Sequence, residues 1–64
     1  MNTLEELLWL VNDSTVVEIC SAETFDVIAT YDGKDSIPEK YNDCEIADVF
    51  VSDNKLCIEI KMED

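Results

Sequence analysis

The chain has no arginine and no histidine, one glycine, one proline and only four lysines. Each scarcity removes a class of function. Without an imidazole, the Ser/His/Asp and Cys/His nucleophile arrangements are excluded in their usual form. Cys/His zinc sites go with them. A lone glycine, Gly33, cannot build a phosphate-cradling loop. No apolar run approaches the roughly 20 residues of a membrane span, and no basic segment followed by an apolar stretch marks a signal peptide. Cys20, Cys44 and Cys57 make an odd count with no CxxC spacing. With no export signal they read as reduced thiols in a cytoplasmic setting. Their simplest role is as small hydrophobes near strands; a regulatory thiol or an intermolecular disulfide is the alternative.

Carboxylates are what the chain has in excess. Sixteen Asp and Glu against four Lys give a formal net charge of −12 in 64 residues. Like charge at this density opposes the compact state. Solubility alone asks for a magnitude of about 2–8 in a small domain. The surplus points to a surface that meets a positively charged partner, and it opposes nucleic acid and anionic lipid as direct ligands. The chain is nonetheless 47% hydrophobic, with Trp9, Phe25, Tyr31, Tyr41 and Phe50, so it has the means to fold where a disordered acidic segment does not. Its length allows one small domain, residues 1–64, with a marginal core.

The pattern predicts a helix over Thr3–Val11. Asn2 or Thr3 serves as N-cap, Glu5 and Glu6 sit in the first turn, and Leu4, Leu7, Leu8 and Val11 form one apolar stripe. Trp9 points away from that stripe. It either packs under a loop or stands as an exposed anchor for a partner or a second copy. Four strands follow: Thr15–Cys20, Phe25–Tyr31, Glu45–Ser52 and Leu56–Met62. Asp32-Gly33 closes the second strand, and Asp53-Asn54 makes a two-residue turn between the last two, since both residues tolerate positive φ. In the irregular stretch Lys34–Asp43, Pro38 opens a helical turn through Tyr41, and Ile37 and Tyr41 tuck it onto the core. The expected architecture is α+β: one N-terminal helix packed on a four-stranded, mainly antiparallel sheet. Its covered face holds Val17, Ile19, Phe25, Val27, Ala29, Ala47, Val49, Val51, Leu56, Ile58 and Ile60. The opposite face holds Val16, Glu18, Asp26, Ile28, Asp48, Phe50, Glu59 and Lys61, a mixture of carboxylates with three sizeable apolar groups. That face is either solvated or a seam built around Phe50 and Ile28.

Catalytic and metal signals are weak. Carboxylate pairs serve glycoside hydrolysis, but sixteen carboxylates pair by chance and a chain this small has little room for a substrate cleft. Asp32-Gly33-Lys34-Asp35 is no calcium loop, because Lys34 and Pro38 stand where ligands are needed. The expectation is no enzyme, no cofactor and no metal.

Ile37-Pro38-Glu39-Lys40-Tyr41, then Val49 and Val51, then Leu56-Cys57-Ile58-Glu59-Ile60, resemble the back half of short proteins from low-GC Gram-positive bacteria and their phages. Size and charge are similar to those of phage-encoded inhibitors of host defence, among them anti-CRISPR and anti-restriction proteins that act as DNA mimics. That likeness implies a protein partner with a basic nucleic-acid-binding site, such as a defence nuclease. The residues expected to meet it are Trp9, Glu18, Asp26, Asp32, Asp35, Glu39, Asp48, Phe50 and Glu59. Carboxylates spaced like phosphates would occur as Glu18 with Asp26, Asp48 with Glu59, and the acidic excursion Asp32, Asp35, Glu39 and Asp43. The rival expectation is a small self-associating module, a homodimer, whose charge serves solubility.

Overall fold

The two strands richest in residues that demand burial take the middle of the sheet. In the computed structural model, which describes residues 2–61, the elements are α1 (Leu4–Leu8), β1 (Val17–Ser21), β2 (Val27–Tyr31), 3-10 turns at Lys34–Ser36 and Glu39–Tyr41, β3 (Ile46–Ser52) and β4 (Lys55–Ile60). Met62, expected to close the last strand, lies outside the described residues. The strand order is β2-β1-β4-β3. β1 and β2 are antiparallel, as are β3 and β4, while β1 and β4 run parallel. The class is α+β as expected, but the sheet is mixed and not mainly antiparallel. Each hairpin follows from its own turn; how two hairpins abut does not. Val17 and Ile19 beside Ile58 and Ile60 are all fully buried, so the inner strands are joined by their apolar sides, and that sets them parallel.

The helix is shorter than the apolar stripe suggested. Glu6 anchors its start: one carboxylate oxygen accepts the N–H groups of Asn2 and Thr3 at 3.2 and 3.3 Å and the Thr3 hydroxyl at 3.1 Å. These bonds hold the Glu6 carboxyl below its ordinary range. After Leu8 the turn tightens, with Leu10 and Val11 donating to the carbonyls of Leu7 and Leu8. The Asn12 side chain then accepts the Ser14 N–H at 2.9 Å, which bends the chain away. Leu4 and Leu8 are buried, and Leu7 and Val11 pack against the same cluster.

From the end of β2 the chain must travel back to the opposite end of the sheet to start β3. This excursion carries Ile37 and Tyr41 into the core, each 7% exposed. Lys34 ties it to the helix: Nζ donates to the Leu8 carbonyl at 2.9 Å and lies 3.4 Å from the Asp13 carboxylate. Gly33 has an extended backbone, so its φ does not demand glycine. A Cβ there would stand 2.7 Å from the Asp13 carbonyl oxygen.

Several residues expected on the covered face are exposed. A five-residue helix and two short turns cover only the central strands, leaving Val49, Val51 and Ala47 on β3 uncovered. Phe25 fails for a different reason. It sits at φ 63, donates its N–H to the Ser21 carbonyl at 2.8 Å to close the β1–β2 turn, and is 71% exposed. β2 therefore starts two residues later than expected, and an irregularity between Ile19 and Cys20 sets Val27 opposite Cys20, with Val27 exposed. Asp53 and Asn54, at φ 52 and 63, make the two-residue turn their identities predict.

Left-handed backbone is costly for a bulky side chain. Phe25→Gly is therefore expected to stabilise the fold by about 1 kcal/mol, read as a rise in thermal midpoint of several degrees. Gly33→Ala is expected to destabilise it by about 1–3 kcal/mol through the clash with Asp13. Unchanged midpoints in thermal melts would contradict these readings of the two turns.

Candidate functional site

The helix and both 3-10 turns lie on one side of the sheet, in one cluster with Val17, Ile19, Ile58 and Ile60. The other side is built from alternate residues: Glu18 and Cys20 on β1, Lys55, Cys57 and Glu59 on β4, Asp48, Phe50 and Ser52 on β3. The register makes Asp48 the neighbour of Glu59, Phe50 the neighbour of Cys57, and Cys57 the neighbour of Glu18. Of the predicted residues, this face gathers Glu18, Asp48, Phe50 and Glu59. Asp48 and Glu59 are directly opposite, where like charges repel. Glu18 stands one diagonal away, roughly 7–8 Å in such a ladder, and carries an ion pair with Lys55 at 3.8 Å.

The remaining predicted residues lie elsewhere. Glu18 pairs with Thr30, and Asp26 sits beyond the start of β2 opposite Ser21, so the pair Glu18–Asp26 is not formed. The offset comes from the four-residue turn that Phe25 closes. Asp32, Asp35, Glu39 and Asp43 are all exposed along the excursion. Trp9 is the C-cap of the helix and 72% exposed. It borders a shallow groove of about 180 Å³ with Glu5, Leu8, Lys34, Asp35 and Asn42. Because Trp9 follows the helix, it lies on the other side of the sheet from Phe50, and one flat contact cannot include both.

Cys20 and Cys57 are buried on this face. Their thiols lie 3.9 and 3.8 Å from the same Glu18 oxygen. Burial pushes both thiols up, and the Glu18 carboxylate adds to it. They are protonated and unreactive at neutral pH. Alternation of Cys57 with Ile58 and of Cys20 with Ile19 already placed them opposite the core; the shared carboxylate was not readable.

A second groove, about 270 Å³, is lined by Lys40, Asp43, Cys44, Glu45 and Lys61, with Lys61 3.3 Å from Glu45. Both grooves fall below the roughly 300–1,000 Å³ of ordinary ligand sites. Among the described residues no group of three or more His, Cys, Asp or Glu side chains is arranged to hold a metal ion, and no helix is long and apolar enough to cross a membrane. No family model, curated protein or solved structure matches the chain.

Two measurements follow from this face. Glu59→Gln is expected to stabilise the fold by about 0.5 kcal/mol at low salt by relieving Asp48, with the gain lost near about 0.5 M salt. Equal gains at both salts would show that the effect is not electrostatic. The thiols hold their protons more tightly folded than unfolded, where cysteine titrates near about 8.5. Their contribution is present below that pH and is lost as pH rises through the folded values. Thermal melts above about pH 8.5 should therefore show falling stability, and Cys20→Ala with Cys57→Ala should flatten that fall. An unaltered alkaline profile would remove the thiols as its cause.

Proposed function

We propose that the protein is a non-enzymatic inhibitor that presents its acidic surface to a basic nucleic-acid-binding site of another protein, in the manner of the DNA-mimicking phage proteins it resembles in size and charge. One observation carries the reading: among the described residues the negative charge reaches the surface and is mostly unpaired with a cation. Among the described residues no carboxylate is buried, and the few cations are already committed. Lys34, Lys55 and Lys61 are bridged to Asp13, Glu18 and Glu45, and Lys40 lies 5.1 Å over the Tyr41 ring. A surface of this kind attracts a Lys/Arg groove from a distance and accelerates the encounter. The Asp48–Glu59 pair with Phe50 and the excursion Asp32, Asp35, Glu39 are its two candidate contact zones.

Affinity capture from a bacterial lysate tests this reading. The protein is expected to retain nucleic-acid-binding proteins at low salt, to release them near about 0.5 M salt, and to be displaced from them by duplex DNA. Lysine in place of Asp48 and Glu59, or of Asp32, Asp35 and Glu39, should slow association at the zone that makes contact. If both variants fold and bind like the parent, or if the parent retains no basic protein, the reading is wrong. Self-association is the second reading, favoured by exposed Phe50, Ile28, Val49 and Val51. Light scattering at a protein concentration of about 100 μM, well above the dissociation constants of specific dimers, should then report a dimer that Phe50→Ser dissolves. A clean monomer would remove it.

A further inference from the structure

We propose that the open half of the β3 edge receives an extended segment of a partner protein in which basic and apolar residues alternate. The partner's basicity rests on the reading given above; the mode of binding does not.

The geometry starts at the turn. Asp53 and Asn54 both have positive φ, and a two-residue turn of this kind makes its flanking residues, Ser52 and Lys55, a hydrogen-bonded pair. Alternation along an antiparallel ladder then directs the backbone groups of Ser52, Phe50 and Asp48 towards β4, and those of Val51 and Val49 away from the sheet. The start of this same edge is already paired with residues 2–4. The Ile46 N–H donates to the Asn2 carbonyl at 2.7 Å, the Leu4 N–H donates to the Cys44 carbonyl at 3.0 Å, and Thr3 bridges Glu45. Helix α1 begins at Leu4, so that pairing ends there, and among the described residues no strand pairs with the rest of the edge.

The protection on β3 is slight: its one irregularity lies between Ile46 and Asp48, before the open half begins. Edge strands are usually blunted by lysine or proline, and Ile46–Ser52 contains neither. The only local stand-in is the Asp48 carboxylate, which accepts the outward Val49 N–H at 2.9 Å. A carboxylate that does so can exchange that donor for an incoming cation.

Side chains define the occupant. On the helix side the edge offers Val49 and Val51, 38% and 74% exposed; on the other it offers Phe50, 41% exposed, flanked by Asp48 with Glu59 beside it. A strand laid along this edge sets its own alternate residues against these two surfaces. Apolar residues meet Val49 and Val51. Lys or Arg meet Asp48 and Glu59 and can lie over the Phe50 ring. A second copy of this chain fits worse, because it brings a further charge of −12 and no basic residue on its own β3.

The probe is an acetylated, amidated peptide, Lys-Val-Lys-Val-Lys-Val-Lys, compared with the same peptide N-methylated at its valines, which keeps the charge and removes strand donors. Binding is measured by calorimetry at about 0.15 M salt, and the Val51 amide by hydrogen exchange. The expected result is at least about tenfold weaker binding of the N-methylated peptide, and slowed exchange at Val51 with the plain one. Val51→Pro, which deletes an outward donor and leaves the β4 pairing intact, should weaken the plain peptide to a similar degree. Equal binding of both peptides would overturn the edge proposal and leave the acidic-binder reading standing. Absence of binding by either peptide, even at low salt, would overturn both. Protection of Val51 that grows with protein concentration alone would assign the edge to a second copy and overturn the proposal.

Discussion

The parallel pairing of β1 with β4 is the contact on which the rest of the structure depends. It sets Val17 beside Leu56, Ile19 beside Ile58 and Ser21 beside Ile60, and it alone joins two hairpins that would otherwise be separate ribbons, each marginal on its own. A chain of this length has a stability on the order of 3–10 kcal/mol. Truncating a single fully buried isoleucine of this seam costs about 2–5 kcal/mol, so the seam has little redundancy. Everything else is arranged around it. The helix and the excursion cap it from one side, and on the other Glu18 reaches both thiols with Phe50 beside Cys57.

That economy explains the surface. The cover is too small for a four-stranded sheet, so burial is concentrated in the centre and both outer strands carry exposed valines. The charge then has two consequences. It opposes the approach of a second copy to those apolar residues, and on the reading proposed above it favours a partner of opposite sign at the edge. The facing pair of Asp48 and Glu59 works against the fold, yet it stands beside the most exposed aromatic of that face. Repulsion tolerated in a small protein is the pattern expected where a surface serves binding at some cost in stability.

Local chemistry made much of this legible. The Leu4, Leu7, Leu8, Val11 stripe, the capping role of the first turn, the Asp53-Asn54 turn, the alternation in β4 and the tuck of Ile37 and Tyr41 follow from spacing and residue type. What was not legible depends on one turn and one junction. Phe25 in a left-handed conformation runs against its own preference, so periodicity carried β2 two residues too far and set Asp26 beside Glu18. The parallel junction depends on which hairpin sides are most apolar in three dimensions, which no single segment states. Within the candidate site, alternation placed Asp48, Phe50 and Glu59 on one face, whereas the pairing of Glu18 with Lys55 and two thiols needed the register between distant strands.

Lys34 has a consequence for chemical modification. Its single ammonium is both the donor to the Leu8 carbonyl and the partner of Asp13, a cation at the helix C-terminus where it is favoured. Acylation of that nitrogen would remove the charge and the donors together, and the helix would lose its tie to the excursion that carries Ile37 and Tyr41. Lys40, over the Tyr41 ring, has no such double duty. Amine-directed labels or crosslinkers that react at Lys40 would report on the intact fold, while those that reach Lys34 would report on a fold they had already loosened.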